Sequence, residues 1–404
     1  MLTFKYTARD PATKKKIIAE VDADNEKSAA KIIRDQGLIP VSVTANKEGG
    51  LFSKFKNRIS TKDKVLFSRQ LSTLINAGLP LVQSLRNVSG QTQNKAFQAV
   101  IAKIITDIEA GSSFHEALAK HPKVFNDVFV NLVAAGEASG TLDKALARLA
   151  DQQEKDAEIV RKIRGAMVYP VIVLVVMVAV VGFMILTVMP QVEKIYADLP
   201  GASLPLITRV LIAIANFTTK YWWIVLIALA LTAFFTTRWA RSLGGKEAID
   251  KAKMRMPVFG PLFMKVYMAR FTRTGATLVA SGVPLIQMLE IVGRAINNIH
   301  LERSINKIIE KVKGGKALSE SIKGDDNFLT LVPDMIRIGE QSGSLEDMLE
   351  RTAEYYEKEV DQQIKTISTI IEPILMVLLG VVAFGIVAAV LLPVYGLVNQ
   401  TNIV

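Results

Sequence analysis

FSRQLSTLINAGLPLVQSL, Phe67–Leu85, returns 204 residues later as FTRTGATLVASGVPLIQML, Phe271–Leu289. Phe67, Arg69, Thr73, Leu74, Gly78, Pro80, Leu81, Gln83 and Leu85 all recur at that offset. Outward from this stretch, Ile101, Lys103, Ile104 and Ile105 match Ile305, Lys307, Ile308 and Ile309, and Gly111 matches Gly315. After a one-residue deletion, Gly136-Glu137-Ala138-Ser139-Gly140-Thr141-Leu142 reappears as Gly339-Glu340-Gln341-Ser342-Gly343-Ser344-Leu345. Pro170 and Pro190 answer to Pro373 and Pro393. A repeat of this length decides the architecture before any local signal does. It reads as a tandem duplication of one domain together with the apolar segment that follows it.

Within each copy the periodicity is helical. Val65, Leu71, Leu74 and Ile75 share one face, as do Ile101, Ile104, Ile105 and Ile108. Gly78 and Pro80, repeated as Gly282 and Pro284, end one helix on a left-handed glycine and open the next at a proline. Ala110-Gly111-Ser112-Ser113 is another stop and start. Such punctuation divides 61–164, and by homology 268–366, into about six helices each. Short loops make them antiparallel bundles.

The two Gly-Glu-x-Ser-Gly-x-Leu segments are the sharpest short motif. Gly140 and Gly343 suit the residue just past a helix, and Thr141 and Ser344 suit the N-cap of the next. Gly136, Ser139, Gly339 and Ser342 complete a tight corner between helices. Glu137 and Glu340 fall in a last helical turn, where the macrodipole disfavours a carboxylate by ~0.3–1 kcal/mol. A disfavoured acid in both copies implies a specific partner. An internal hydrogen bond fixing the corner, a divalent cation and an interface all remain open.

Three blocks carry no charge: Gly165 to Val192, Tyr221 to Thr237, and Pro373 to Val404. About 20 apolar residues cross the hydrocarbon core, so transmembrane helices are expected at 166–190, 221–239 and 372–395. Trp222, Trp223 and Trp239 flank the second, as the membrane interface favours. Lys155, Arg161, Lys162 and Arg164 precede the first block, and Arg238, Arg241, Lys246, Lys251, Lys253 and Arg255 follow the second. The positive-inside rule then puts both bundles in the cytoplasm and the C-terminus outside. The repeat requires the same topology, since a returning span must separate two copies on one side. Residues 191–220 become an outer loop with an interfacial segment, 240–267 a basic cytoplasmic connector, and 396–404 an outer tail.

Residues 1–46 read differently. Leu2 to Thr7 and Lys15 to Val21 resemble a hairpin, Asn25 to Gln36 a helix closed by Gly37, and Pro40 to Thr44 a strand. This small α+β piece carries no apolar signal sequence, which leaves the N-terminus cytoplasmic. Residues 47–60 form a basic linker, suited to an anionic lipid surface or to a solvated tether.

Composition closes off several classes. The chain has 404 residues, net charge +11 and no cysteine, which removes disulfides and thiolate metal sites. With half the residues hydrophobic, the positive balance reads as membrane topology and not nucleic-acid binding. Gly244-Gly245-Lys246 and Gly314-Gly315-Lys316 lack the upstream glycine and the Ser or Thr of a phosphate loop. His115, His121 and His300 are the only histidines, too few for a histidine-rich metal site or relay. No Asp, Lys or Arg lies inside the three uncharged blocks, which counts against a small-solute transporter, the main alternative. Glu372, at the cytoplasmic edge of the third block, reads as an interfacial residue reaching headgroups or as a contact for a partner's charged terminus.

With the duplicated motifs, the turns and the three apolar blocks in hand, the chain resembles the type II secretion F-protein family, which includes platform proteins of type IV pili. The likeness spans essentially the whole sequence, with Tyr6, Ala8, Ala30, Gly37 and Pro40 at fitting places in the N-terminal piece. The resemblance implies a non-enzymatic inner-membrane platform that couples a cytoplasmic hexameric assembly ATPase to insertion or extraction of pilin or pseudopilin subunits. It also implies other inner-membrane assembly proteins and a second copy of the chain as partners, the bilayer as environment, and no nucleic acid or obligatory cofactor. A divalent cation associated with some first domains of the family would make Glu137 its ligand here.

Overall fold

The structure is a computed structural model that describes residues 2–9, 16–23, 26–35, 39–45, 58–191, 194, 209–210, 212–213, 216–217 and 220–401. These divide into two units, residues 1–60 with 92–100, and residues 61–91 with 101–404. In the first, β1 (Leu2–Arg9) lies between β2 (Lys16–Ala23) and β3 (Ile39–Ala45) in an antiparallel sheet of order β2-β1-β3. Leu2 pairs with Ala23 and Arg9 with Lys16, while a bulge at Thr7/Ala8 shifts the register to β3. Helix α1 (Glu26–Asp35) connects β2 to β3 and buries Ile33. The expected opening residue Asn25, the expected closing residue Gly37 and most of linker 47–60 lie outside the described residues.

The second unit is helical. The first copy contains α2 (Thr61–Asn76), α3 (Leu81–Gln91), α4 (Lys95–Glu109), α5 (Phe114–Ala119), α6 (Asp127–Ser139) and α7 (Leu142–Ala166). Helix α8 (Val168–Phe183) follows at once and passes into a wide π turn, Met184–Val188. Pro190 lies just beyond; a proline ring clashes with the carbonyl four residues back, and a π turn is one way a helix absorbs that. Then come α9 (Trp222–Ala240) and α10 (Leu243–Arg255). The second copy contains α11 (Phe259–Ala280), α12 (Leu285–Ile296), α13 (Ile299–Lys313), α14 (Leu318–Ile322), α15 (Leu331–Ser342) and α16 (Leu345–Thr401).

Matching positions fill matching cores. Phe67 and Phe271 are each 1% exposed. Phe67 packs on Phe125 at 5.7 Å between ring centroids, and Phe271 on Phe328 at 5.2 Å. Ile101 and Ile104 are buried, as are Ile305 and Ile308.

Three sequence boundaries move. The last bundle helix does not stop before the membrane segment: 142–191 form a single apolar-ended helical run, and α16 continues unbroken for 57 residues. The expected tail at 396–404 is therefore helical as far as Thr401. The first helix of the second copy, α11, begins at Phe259, ahead of the expected 268, and part of the expected connector folds as α10 against it. There Asp250 Oδ2 accepts from Ile299 N at 3.2 Å and Glu247 pairs with Arg303.

Among the described residues two helical runs, Leu142–Gln191 and Leu345–Leu391, are long and apolar enough to cross a bilayer. Helix α9 is apolar except for Thr232, Thr236, Thr237 and Arg238, and exposes Trp223, Leu226, Phe234 and Trp239. Most of the expected outer segment at 191–220 lies outside the described residues.

Candidate functional site

At the first corner α6 ends on Gly140, whose φ of 69° is open to glycine at little cost. Thr141 N donates to Gly136 O at 2.8 Å and Gly140 N to Glu137 O at 3.3 Å, the bond pair that closes a helix around a left-handed residue. Gly343 repeats the conformation at 69°. A Cβ on Gly136 would stand 2.5 Å from Ala145 Cβ, and one on Gly339 2.9 Å from Leu345 Cα. Glycine there lets α6 lie directly on α7, and α15 on α16.

Thr141 was expected to cap α7, but its side chain makes no cap bond. Its hydroxyl pairs with Ser139 Oγ at 2.7 Å, and Ser344 pairs with Ser342 at 2.5 Å. The two serines also donate to Ala135 O and Ile338 O, both at 2.7 Å. Hydroxyls two residues apart therefore brace the turn itself.

The glutamates find their partner in another helix. Glu137 Oε1 accepts from Phe114 N at 2.7 Å, and Oε2 accepts from His115 N at 3.0 Å and lies 2.7 Å from His115 Nδ1. The carboxylate thus sits at the negative end of α6 and at the positive end of α5. Ser113 Oγ accepts from Glu116 N, and Glu116 Oε2 accepts from Ser113 N at 3.0 Å, so every amide from 113 to 116 is engaged. Burial works to raise the Glu137 carboxyl, but the bonds from His115 and from the amides of His115 and Phe114 outweigh it and hold the group below the ordinary glutamate value.

Glu340 performs the same task with less help. It accepts from Leu318 N at 2.6 Å, Ser319 N at 3.2 Å and Ser319 Oγ at 2.5 Å. Ala317 stands where the first copy has Ser113, and α14 has no side-chain cap of its own.

A cation at Glu137 would need more oxygen ligands than this corner offers. One carboxylate and one imidazole meet there, both carboxylate oxygens face N–H donors, and no group of three acidic or histidine residues gathers among the described residues. The donor set fits a helix N-terminus and not a metal cage.

The remaining expected residues lie apart from the corners. Gly78 and Gly282 adopt φ of 83° and 79°, and the Pro80 and Pro284 carbonyls accept from Ser84 N and Met288 N at 2.9 and 2.8 Å, starting α3 and α12. Glu372 is exposed on α16 where its apolar stretch begins.

Two further features escaped the sequence reading. Arg69 grips Glu154 through Nε and Nη2, both at 2.7 Å, and Arg273 grips Glu357 at 2.8 and 3.0 Å. This two-pronged clamp joins α2 to α7 and, again, α11 to α16. The other feature is the seam between the copies. Gln152 Nε2 donates to Thr274 Oγ1 at 2.8 Å, Lys162 lies 2.6 Å from Asp361, Arg148 3.5 Å from Glu346, Arg294 2.8 Å from Asp127 and Arg270 3.4 Å from Asp156. Nearer the apolar ends, Ile159 packs among Leu262, Val266, Val360, Ile364 and Ile367. A charged groove of about 830 Å³ runs between α7 and α16, and higher up an apolar cleft of about 340 Å³ separates Ile172–Val180 from Leu379–Ile386.

Comparison with known proteins matches this layout. The sequence profile described as type II secretion system (T2SS), protein F, matches residues 67–190 and again 271–393, and the profile for the N-terminal domain of that protein matches 1–44. The chain is 38% identical to the type IV pilus assembly protein PilC of Thermus thermophilus, over the full length of both. It is 36% identical to the protein of that name from Myxococcus xanthus, with 94% of this chain and 91% of the relative covered. The type II secretion system protein F of Pseudomonas aeruginosa is 33% identical, with 99% of each chain covered.

Proposed function

Since the chain belongs to the type II secretion system protein F family, we propose that it is a non-enzymatic inner-membrane platform of a type IV pilus or type II secretion machine. Its two copies engage a cytoplasmic hexameric assembly ATPase, and its membrane helices receive or release pilin-like subunits. In this reading α9 is a third, returning span, both bundles are cytoplasmic, and the C-terminus is outside.

One observation carries the proposal: each corner is joined to an apolar segment with no intervening loop, by the helical run 142–191 (α7, a single turn at Met167, then α8) in the first copy and by α16 in the second. A displacement imposed on a bundle reaches the bilayer without passing through a flexible joint. The seam binds the two rods together through Lys162–Asp361 and Gln152–Thr274, so they move as one body. The cleft between the apolar segments is lined by Ile172, Val176, Met177, Leu379, Val382 and their neighbours, all apolar. Such a surface suits a helix of similar character and gives a polar solute no path.

Inserting Gly-Gly-Ser after Ile371 tests the coupling, because it uncouples α16 from its membrane end beyond the seam contacts of Ile364 and Ile367. The variant is expected to insert in the membrane and to co-purify with the assembly ATPase, yet to support no pilus or secretion. Normal assembly by that variant would refute the proposal.

A further inference from the structure

Helix α10 has no counterpart in the first copy, because the positions 204 residues before it belong to strand β3 and the linker that follows. It is nevertheless firmly fixed. Gly245 lies so close to the end of α9 that a Cβ there would stand 1.8 Å from Trp239 O. Asp250, 2% exposed, accepts from Ile299 N, Glu247 grips Arg303, and His300 Nε2 lies 3.2 Å from Glu247 O. The turn into α11 is strained: Phe259 N donates to Pro257 O at 2.9 Å across Val258, a branched residue at φ 72°. That turn sets Arg255 of α10 and Gly260 of α11 on one cavity of about 640 Å³.

Two of the cavity's cations are unengaged. Lys251 and Arg255 stand one turn apart on α10, at a spacing where like charges repel. Among the described residues neither forms an ion pair or a hydrogen bond, whereas Lys246 donates to Asn297 and Lys253 pairs with Asp250. Lys265 also lines the cavity but pairs with Glu359 at 2.8 Å. One lining acid, Asp326, has no partner among the described residues either, so the two unengaged cations exceed it by one positive charge. Met254, Pro261, Met264 and Leu329 supply an apolar wall beside these groups. The lining is not part of the duplicated framework: Lys265 answers to Thr61 in the first copy, and His300 to Ala96.

The cavity lies at a definite depth. Lys265 contacts Glu359 and Gln363, and Arg273 contacts Glu350 and Glu357, so α11 runs antiparallel to α16. Phe259 and Ile371 join one apolar cluster, as this register requires. Continued, it brings Gly260 level with about Thr366, and the apolar stretch of α16 opens at Pro373, about 10 Å further along the axis. Headgroups fill roughly the first 5–8 Å beyond the hydrocarbon, so a cavity of this size reaches their level. Trp239, Leu243, Met256 and Val258, flanking α10 at both ends, are all exposed, which suits a helix lying along lipid. We propose that the cavity binds the headgroup of an anionic phospholipid. Its phosphodiester lies between Lys251 and Arg255, whose guanidinium fork matches phosphate oxygens; a headgroup hydroxyl donates to Asp326, and the first acyl carbons cover Met254 and Met264. A soluble phosphate would satisfy the cations but leave the apolar wall bare. The inference rests on α16 crossing the membrane and on no other part of the platform reading.

The full-length chain is reconstituted in nanodiscs of phosphatidylglycerol, phosphatidylethanolamine and phosphatidylcholine in equal parts with the same acyl chains, and the lipids it retains on release are weighed by native mass spectrometry. Retention of phosphatidylglycerol is expected to exceed that of the other two by about 10-fold. Lys251→Gln with Arg255→Gln should reduce the preference to within about 2-fold, and so should Met264→Trp, which fills the cavity and keeps both cations. Arg238→Gln with Arg241→Gln, at the end of α9 and outside the cavity, should leave it unchanged. A native chain with no preference, or with equal retention of phosphatidylethanolamine, would overturn the proposal. So would a preference lost equally when Arg238 and Arg241 are replaced, the mark of diffuse attraction, or displacement of the lipid by inorganic phosphate, the mark of a site for a soluble anion. A chain that fails to enter nanodiscs would overturn the membrane reading and this proposal with it, whereas lost selectivity in an inserted chain would overturn the headgroup site alone.

Discussion

Glu340→Ala removes the acceptor for the amides of Leu318 and Ser319 and for the Ser319 hydroxyl at once. Hydrogen bonds to a charged group contribute ~1.5–3 kcal/mol each when water is excluded. Glu340 is only half-buried, and freed amides at a helix start recover part of that from solvent. A loss of about 2 kcal/mol, the upper end for an N-cap residue, is a reasonable figure. Because α14 has no side-chain cap in reserve, the local opening of this helix should become ~30-fold more frequent, at 1.36 kcal/mol per factor of ten. In the first copy, Ser113 and Glu116 still hold two of the four amides, so Glu137→Ala should cost about 1 kcal/mol and raise opening only ~5-fold. Hydrogen exchange followed by mass spectrometry on the full chain in lipid nanodiscs reads both helices in one experiment, on peptides covering 113–119 and 317–323. If Glu340→Ala left 317–323 as protected as before, or if the two substitutions loosened their helices equally, the capping account of these glutamates would be wrong.

Other expectations follow from the same contacts. The Glu137 carboxyl is held below its ordinary value, so the stability it adds is fully present above the unfolded glutamate value of about 4.3 and is lost as pH falls through the lower folded value. Exchange in 113–119 should therefore rise on acidification below about pH 4, and Glu137→Gln should flatten that dependence. Arg273→Lys breaks a clamp whose side chains are 18% and 16% exposed and should cost about 1–2 kcal/mol, whereas Arg69→Lys, at 39% and 43%, should cost under about 1 kcal/mol; thermal melts of the two variants give the order. Gly136→Ala should destabilise by ~1–3 kcal/mol through its clash with Ala145, and adding Ala145→Gly should recover part of the lost melting temperature.

The repeat, the helix count and the corners were legible because their signals are local. A glycine at positive φ, a proline at a helix start and a 3.6-residue apolar spacing act within a few residues. The unusual placement of Glu137 and Glu340 in a last helical turn correctly announced a partner, and only the fold shows it to be the start of α5 and α14, 22 or 23 residues upstream. Arg69 and Arg273 were visible as repeated residues, but their carboxylates lie 85 and 84 positions away, and no spacing rule connects such distances. The seam left almost no trace, because it is the one surface at which the copies had to differ. Gln152 and Thr274 look like ordinary surface residues until the other copy covers them. Thr141 misled for a simple reason: a threonine after a helix-ending glycine has two possible acceptor and donor sets nearby, and the Ser139 hydroxyl is closer than the next amides.

Helix α16 carries a mechanical consequence of its own. From Leu345 to Glu372 it extends 28 residues, about 42 Å at 1.5 Å per residue, before its apolar stretch begins. Membrane helices commonly lean by ~20° and vary widely about that figure. A change of about 10° in lean, pivoting where the helix enters lipid, would swing the far corner by roughly 7 Å over that arm. Bilayer thickness and composition, acting at one end of the molecule, can thereby alter where the Gly343 corner stands relative to anything it must meet below.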